Sequence, residues 1–213
     1  MIEDFEDEKI EDEDSDFMVT LEVNCSVIFD TEDSDSIIQQ YTAKILIDGE
    51  EDVGFIQGWY IDIDLWRNGF QCGPLFEVFD SPCQEVSDCY EFFMKEDKGI
   101  IPGLVSSEFN NVFYLERLVI EDKKLRGKGI GSKTLAYFLR VAARNTGVVI
   151  CLPVPLSKNK RGEYSKVKDK TFNEKKAKVI EFYKKIGFVE LPNSPYIYFD
   201  TAKSLILPDG RKI

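Results

Sequence analysis

The segment from residue 118 to residue 132 constrains the fold of this chain more than any other part of its sequence. Three apolar residues at 118–120 lead through a charged turn to the run Arg126-Gly127-Lys128-Gly129-Ile130-Gly131, and then to a helical pattern. Glycine permits a left-handed backbone and lets N–H groups approach an anion, and a helix N-terminus adds unsatisfied donors. Arg126 and Lys128 add positive charge at the same place. The segment therefore predicts a strand, a phosphate-binding loop and a helix.

Two common nucleotide-binding loops do not fit this segment. In a Walker loop, the glycine required before the lysine of Gly131-Ser132-Lys133-Thr134 would fall on Ser132. In the dinucleotide-binding turn G-x-G-x-x-G, counted from Gly127, the third glycine would again fall on Ser132. Both motifs fail by one residue, and a purely structural turn stays open as the alternative to a phosphate site.

The spacing R-x-x-G-x-G does fit, from Arg126 to Gly131, directly after an apolar strand. This run resembles the acyl-CoA pyrophosphate loop of the GNAT acetyltransferase superfamily. The stretch 114–120 is similar to that family's central strand, and 182–188 matches its F-Y-x-x-x-G-F helix–strand junction. The two motifs lie about 50 residues apart with a strand and a helix between them. The resemblance covers 111–200 closely and 17–64 only as a strand pattern.

The resemblance implies an α/β (α+β) fold of the GNAT acyl-CoA N-acyltransferase type. A mixed, mostly antiparallel central sheet flanked by helices would open between strands at 118–120 and 148–152 to admit acetyl-CoA. Two departures are present: an insertion (65–110) precedes the central strand, and Lys176 stands where many members have asparagine, with Asn173 one turn earlier. The residues that the resemblance assigns to cofactor binding are Leu118, Val119, Ile120, Arg126, Gly127, Lys128, Gly129, Ile130, Gly131, Ser132, Asn173 and Lys176.

The resemblance also implies direct attack of an amine on the thioester in a ternary complex, with a backbone N–H of Val119 or Ile120 polarising the carbonyl. It places Tyr183 at the position of the catalytic acid. A phenol has an ordinary pKa of about 10, stays protonated at neutral pH and can donate to a leaving thiolate. The alternative is a packed core aromatic, at helical spacing with Val179 and Ile186.

Glu116 is the leading candidate for the catalytic base. In regular strand alternation it shares a face with Leu118 and Ile120, close to the expected thioester. A carboxylate there can take a proton from an ammonium through water. The alternative is an ordinary strand charge paired with Arg117 or Lys44.

Other polar residues near the expected cleft are weaker candidates. Asp62 and Asp64, on the neighbouring strand, are weaker candidates for the base, and the alternative is that they hold a cationic substrate. Cys151 is interpreted as a small buried hydrophobe, because the chain has no histidine to activate it.

Charge is divided unevenly between the two halves of the chain. The formal net charge is −12; residues 1–116 hold 5 Lys/Arg against 30 Asp/Glu, and residues 117–213 hold 22 against 9. The acidic half should face the acceptor, which favours a cationic amine. The basic run 158–178 favours attraction of a polyanionic cofactor or a solvated loop over a nucleic acid partner, because it has only two aromatic residues, Tyr164 and Phe172, and the whole chain is negative.

Composition excludes several classes of site. Without histidine the chain cannot build a Ser-His-Asp or Cys-His nucleophilic site, nor the usual catalytic zinc site, so we expect no metal. Five cysteines without a C-x-x-C pair are typical of reduced thiols in the cytoplasm. We find no signal peptide and no run of 18 apolar residues, so we expect no membrane partner. A homodimer stays open.

Charge and hydrophobic periodicity divide the chain into an acidic arm (1–16), expected to be mobile, and one domain (17–213), which the resemblance implies is an acetyltransferase domain. The domain comprises N-terminal strands (17–64), a helical and irregular insertion (65–110), an acetyl-CoA-binding core (111–200) and a tail (201–213). We predict strands at 18–29, 37–47, 53–63, 111–120, 148–152, 188–191 and 196–200. Helices are predicted at 82–95, at 131–145, and from a capping box at 171–174 to residue 186.

The sequence therefore predicts an N-acetyltransferase that moves an acetyl group from acetyl-CoA to a primary amine. The competing interpretation is a non-catalytic CoA-binding module, regulatory or protein-interacting, in which the acidic arm contacts a basic partner.

Overall fold

The computed structural model of the chain describes residues 8–10, 18–27, 37–49, 51–68, 74–80, 82–95, 99–160, 162–167 and 169–213. An open eight-stranded sheet, in the order β1-β2-β3-β4-β5-β6-β10-β9, runs through the molecule. Its strands are β1 Glu8–Ile10, β2 Val19–Val27, β3 Ile38–Ile47, β4 Glu51–Ile61, β5 Asn111–Ile120, β6 Thr146–Cys151, β9 Val189–Glu190 and β10 Ile197–Asp200. A separate two-stranded hairpin, β7 Leu156–Lys158 and β8 Tyr164–Lys166, follows β6.

The neighbouring strands of the large sheet are antiparallel, with the exception of the parallel pair β5 and β6. The predicted hairpin between β3 and β4 is confirmed. Asp48 and Gly49 both adopt positive φ, 53° and 77°, as the tight turns that join twisted strands require. The described part of the chain is thus a mixed α/β fold with a mostly antiparallel sheet.

Helices cover both faces of this sheet. They are α1 Ile63–Asn68, α2 Leu75–Asp80, α3 Gln84–Phe93, α4 Ile130–Ala142 and α5 Phe172–Ile186. Alternate residues of each strand supply two separate cores. Phe113 and Leu115 of β5 contribute to the core that contains α4 and the end of α5. Val112 and Tyr114 contribute to the other core, which contains α1, α2 and α3.

The insertion before β5 contains more helix than the sequence predicts. The helix predicted at 82–95 is observed at Gln84–Phe93, but two further helices of six residues each, α1 and α2, precede it. A helix of six residues offers fewer than two turns of periodicity, which is too short to recognise in a sequence. Their buried residues, among them Trp66 and Phe79, seal one face of the sheet.

The acidic arm, which is predicted to be mobile over 1–16, contains a short strand. Residues Glu8–Ile10 form β1 and pair antiparallel with β2, with Ile10 opposite Val19. This stretch contains Lys9, the single basic residue of the arm, which lowers the local repulsion. The rest of the predicted arm, 1–7 and 11–16, lies outside the described residues.

The start of α5 differs from the predicted capping box. The Thr171 hydroxyl donates to the Asp169 carboxylate at 2.5 Å, and Glu174 forms an ion pair with Lys178 at 2.7 Å. Asp169 also accepts from the Thr171 N–H at 2.8 Å, which is the contact that Glu174 would make in a capping box. The predicted end of the helix is confirmed, because Gly187 follows Ile186 with φ 119°.

Among the residues that the structure describes, every helix is too short or too polar to cross a lipid bilayer.

Candidate functional site

The central feature of the site is the point where β5 and β6 separate. The two strands pair from Asn111 and Thr146 to Leu115 and Cys151, where β6 ends. β5 continues to Ile120, paired only with β4. We call residues 116–120 the open edge, because their backbone groups on the β6 side have no strand partner in the described structure. Backbone donors and acceptors along such an edge are available to an extended ligand.

The other side of the open edge is held firmly against β4. A Cβ placed on Gly54 would lie 2.0 Å from the Val119 carbonyl oxygen, so only glycine allows this approach. A β-bulge lies in the same pair of strands: Gln57 faces Arg117, Gly58 faces Leu115, and Glu116 is the extra residue between them. A bulge bends its strand and increases its twist. Here the bend comes directly after the last residue that pairs with β6.

The glycine loop follows the open edge as the sequence predicts. A 3-10 turn at Lys123–Leu125 is capped by Asp122, whose carboxylate accepts from the Lys124 N–H at 2.8 Å. The Arg126 guanidinium then donates to the Ile120 carbonyl through Nε (3.1 Å) and Nη2 (2.8 Å). In this structure Arg126 therefore fastens the loop to the end of β5.

The loop ends at the N-terminus of α4. Gly127 and Gly129 have φ of 80° and 81°, and Gly129 caps the helix. The first turn of α4 contains no acidic residue, so nothing there cancels the partial positive charge of the helix end. The N–H groups of Ile130, Gly131 and Ser132 have no intrahelical acceptor, since they belong to the first turn. The predicted strand, loop and helix are confirmed, and their use by a phosphate stays a prediction.

Two segments contact this loop from outside. A Cβ on Gly131 would lie 3.6 Å from the Phe182 ring of α5, and a Cβ on Gly129 would lie 3.0 Å from Pro208 in the tail. The predicted tail at 201–213 thus packs against the start of α4. This contact between the tail and the loop had no signal in the sequence.

Tyr183 lies at the apex of the opening. Its side chain is buried, and its ring contacts Phe182 and Phe188 at centroid distances of 5.1 and 5.2 Å. Its hydroxyl donates to the thiol of Cys151, the last residue of β6. Burial raises the pKa of Tyr183 well above its ordinary value, and burial raises the pKa of Cys151 to about 12. Both groups are therefore protonated at neutral pH.

Glu116 lies at the centre of a polar cluster on the other side of the apex. One carboxylate oxygen, Oε2, accepts from Gln57 Nε2 at 2.6 Å and from Trp59 Nε1 at 2.9 Å. The second, Oε1, lies 2.9 Å from Nη2 of Arg117, and the Glu116 side chain is 14% exposed. We call Gln57, Trp59, Glu116 and Arg117 the Glu116 cluster.

The predicted face of Glu116 is wrong. Leu118 and Ile120 pack against the core that contains α4, whereas Trp59, which bonds Glu116, belongs to the core that contains α1–α3. The bulge shifts the alternation by one residue, which turns Glu116 to the opposite face. Of the two ion-pair partners considered from the sequence, Arg117 is the one observed.

The remaining predicted residues are not assembled with these groups. Asn173 is exposed and Lys176 is half-buried on α5, and neither makes a hydrogen bond or ion pair within the described residues. Asp62 accepts from the Leu65 N–H at 2.8 Å, and Asp64 accepts from Asn110 Nδ2 at 3.1 Å. These two aspartates lie at the start of α1, next to the end of β4 that is remote from Gly54.

The β7–β8 hairpin contributes residues that the sequence analysis missed. Lys158 Nζ lies 2.9 and 3.1 Å from the two carboxylate oxygens of Glu121, just after β5. Tyr164 packs edge-on against Phe55 of β4 at 5.6 Å, and Lys166 pairs with Glu85 of α3 at 3.0 Å. The hairpin therefore reaches from the end of β5 to α3. Its partners lie far apart in the chain, so the basic run alone gave no sign of these pairs.

Within the ranges that the structure describes, no group of three or more histidine, cysteine or acidic residues is arranged to hold a metal ion. Comparison of the chain with protein families, with curated proteins and with solved structures gave no match.

Proposed function

We propose that this protein transfers an acetyl group from acetyl-CoA to a primary amine, on an α/β fold of the GNAT type. The observation that carries the proposal is the separation of β5 from β6 directly before the glycine loop at the start of α4. A strand edge that lacks a partner and an anion-binding helix end thus follow one another within 15 residues, 116–130. An acyl-CoA requires both, because it has an amide-containing arm and a pyrophosphate.

The chemistry of the donors fits this cofactor. CoA carries three phosphate groups, and the first-turn N–H groups of α4 with Lys128 supply positive charge for its pyrophosphate. The open edge, which includes Leu118, Val119 and Ile120, offers backbone groups for the amides of the pantetheine arm. Arg126 fixes the loop to the Ile120 carbonyl, and this role comes in addition to its proposed contact with the cofactor.

The thioester is already activated, so positioning and polarisation supply most of the rate enhancement. The amine nitrogen attacks the thioester carbonyl, the C–N bond forms and the C–S bond breaks. We propose that the Ile120 N–H stabilises the oxyanion, because Val119 turns its backbone carbonyl toward Gly54 of β4 whereas the Ile120 carbonyl faces the loop. Glu116 takes the amine proton through water, and the Tyr183 phenol protonates the departing thiolate. The two residues flank the last paired positions of β5 and β6, Leu115 and Cys151.

A second candidate function is a CoA-binding module without catalysis. Two observations favour it. The Glu116 carboxylate is engaged by Gln57, Trp59 and Arg117, and the Tyr183 hydroxyl is already bonded to a buried thiol. The contacts of Glu116 and Tyr183 would stabilise the fold equally well if neither residue took part in catalysis. A cationic acceptor, as predicted from the sequence, has a place only in the acetyltransferase, because a module without catalysis has no acceptor.

A thiol-release assay separates the two functions. The full chain is incubated with acetyl-CoA and a panel of amines, and binding of acetyl-CoA is measured in parallel by isothermal titration calorimetry. The proposal predicts binding together with amine-dependent release of free CoA. Binding without release on any amine would support the module, and an absence of binding would contradict both functions.

A further inference from the structure

We infer that Arg117 recognises a carboxylate on the acceptor, so that the substrate class is an amine with a neighbouring carboxylate, as in a free α-amino acid. This inference rests on the proposed function and names the acceptor of the same site. It starts from the bulge in β5, which brings Glu116 and Arg117 together on one side of the sheet.

Adjacent residues of a regular strand point to opposite faces, so their side chains do not normally meet. Arg117 Nη2 nevertheless lies 2.9 Å from Glu116 Oε1. The contact exists because Glu116 and Arg117 together face the single residue Gln57 across the bulge. The bulge therefore places a guanidinium on the open edge where regular alternation would have turned it away.

The guanidinium is held by an acid that is itself fixed. Gln57 and Trp59 both donate to Oε2 of Glu116, which leaves Oε1 for Arg117. The Glu116 side chain is 14% exposed, whereas the Arg117 side chain is 39% exposed. A largely shielded carboxylate that accepts two hydrogen bonds thus orients a half-exposed cation. Such preorganisation lowers the entropic cost of binding a ligand.

The orientation leaves binding capacity on the guanidinium. Arginine carries five N–H donors in a planar fork, and one carboxylate oxygen cannot accept from all of them. The remaining donors match the two oxygens of a carboxylate, which arginine binds in a bidentate manner. Glu85, which lies near Cys83 as Glu116 does, is paired with Lys166 at 3.0 Å.

The position along β5 sets the size of the acceptor. Arg117 precedes Ile120, the proposed oxyanion donor, by three residues, which span about 10 Å of strand. A carboxylate bound to the guanidinium through a hydrogen bond of about 3 Å leaves room for only a short link to the attacking nitrogen. An α-amino acid satisfies this limit, whereas a diamine offers no group for Arg117.

The test uses matched pairs that differ only in the carboxylate: L-leucine with L-leucinamide, and L-lysine with L-lysinamide. We expect the free acids to be acetylated with at least tenfold higher kcat/KM than the amides. Arg117 also contacts the proposed base, so Arg117→Gln should slow acetylation of both groups, but it should lower kcat/KM for the acids at least tenfold more than for the amides, since charge-assisted bidentate bonds are the strong ones. Arg117→Lys should restore part of the loss. Arg140→Gln, on the exposed side of α4, is the matched control and should change neither ratio.

Calorimetric titration of the same compounds into the protein, with and without CoA, gives a readout that does not need turnover. Equal kcat/KM for the acids and the amides would overturn the role of Arg117 but would still support the proposed acetyltransferase. Binding of the acids that depends on Arg117, without acetylation of any amine, would overturn the enzyme and support the carboxylate site. If the acids neither bind nor react, the inference is wrong.

Discussion

The two sides of the open edge are built in different ways. The glycine loop is one continuous segment, and local backbone geometry creates its donors: two glycines with positive φ and the first turn of a helix. The Glu116 cluster is assembled from β4 and β5, and the bulge between these strands orients it. The comparison teaches that a site made of backbone can be recognised from a short motif. A site made of side chains on several strands becomes visible only when register is known.

The two sides also differ in how strongly their contacts are held. The bonds to Glu116 are largely shielded from water, with a side-chain exposure of 14%. The pair between Lys158 and Glu121, which fastens the β7–β8 hairpin, is exposed by 47% and 40%. Shielded hydrogen bonds to a charge stabilise more than exposed ion pairs do. Substitutions on the two sides should therefore have very different effects.

The largest effect is expected at the apex that the two sides share. Tyr183→Phe removes the proposed acid and should lower kcat about 100-fold, within the usual range for a positioned acid. Affinity for acetyl-CoA should change little, because the ring still packs between Phe182 and Phe188. Steady-state kinetics and calorimetry measure the two quantities. Tyr60→Phe is the control, since this buried phenol bonds Asn111 away from the open edge. Unchanged kcat in Tyr183→Phe would remove the acid from the mechanism.

The pH dependence sharpens the same point. Burial holds the pKa of Tyr183 well above its usual value, so the folded protein keeps this proton above pH 10 while the unfolded chain releases it. The unfolded state then binds fewer protons, so the free energy of unfolding should fall as pH rises through 10. Tyr183→Phe should show a shallower fall in alkaline chemical denaturation. Identical slopes in the two proteins would contradict the assigned burial of the phenol.

On the loop side, Gly129→Ala should weaken acetyl-CoA binding about tenfold. A Cβ at φ 81° is strained and would meet Pro208 at 3.0 Å, so unfolding should also become easier by about 1–2 kcal/mol. Gly103→Ala provides the matched control, because this glycine has φ 83° and open space around it. The control should lose stability without losing affinity. Equal affinity in both variants would show that the loop does not hold the cofactor.

On the other side, Trp59→Phe should lower kcat about fivefold, because it removes one of the two donors that orient Glu116. Trp66→Phe is the comparison variant, since Trp66 is buried in the same core. Both changes should cost some stability through altered packing. Only Trp59→Phe should change the ratio of kcat/KM between amino acids and their amides. The same ratio in both variants would separate Trp59 from the acceptor.

The smallest effect is expected at the β7–β8 hairpin. Lys158→Ala should reduce the free energy of unfolding only slightly, as is usual for exposed ion pairs, and high salt should remove the difference. Salt-dependent denaturation measures it. Lys178→Ala, which breaks an exposed helix pair with Glu174, is a suitable control. A loss of unfolding free energy several times larger in Lys158→Ala than in Lys178→Ala would contradict this expectation, because it would mean that the hairpin stabilises the sheet.

The sequence predicted the features that short motifs specify. The Asp48-Gly49 turn, the loop from Arg126 to Gly131 and the end of α5 at Gly187 each depend on glycine in a conformation that other residues avoid. The strands were predicted because their apolar residues alternate. Boundaries differed by a few residues, as at β4, which begins at Glu51 rather than Val53.

The features that the sequence did not predict depend on long-range contacts. β5 itself has no glycine or proline at the bulge, and the glycine beside it, Gly58, lies on β4, so the orientation of Glu116 was assigned to the wrong face. The bonds from Gln57 and Trp59 join residues more than 55 positions apart. The partners of the β7–β8 hairpin, Glu85 and Glu121, lie in other parts of the chain. Strand register and tertiary contacts determine the bulge and these long-range pairs, and local periodicity of the sequence reveals neither.

Hydrogen–deuterium exchange of the full chain, with and without acetyl-CoA, tests the central claim most directly. The account predicts slower exchange of amides in the open edge, 116–120, and in the segment 127–132 when the ligand is added. Amides of β3, which lies away from the opening, should exchange at the same rate in both samples. Protection confined to other segments, or an absence of protection at saturating acetyl-CoA, would contradict the assignment of this opening as the cofactor site.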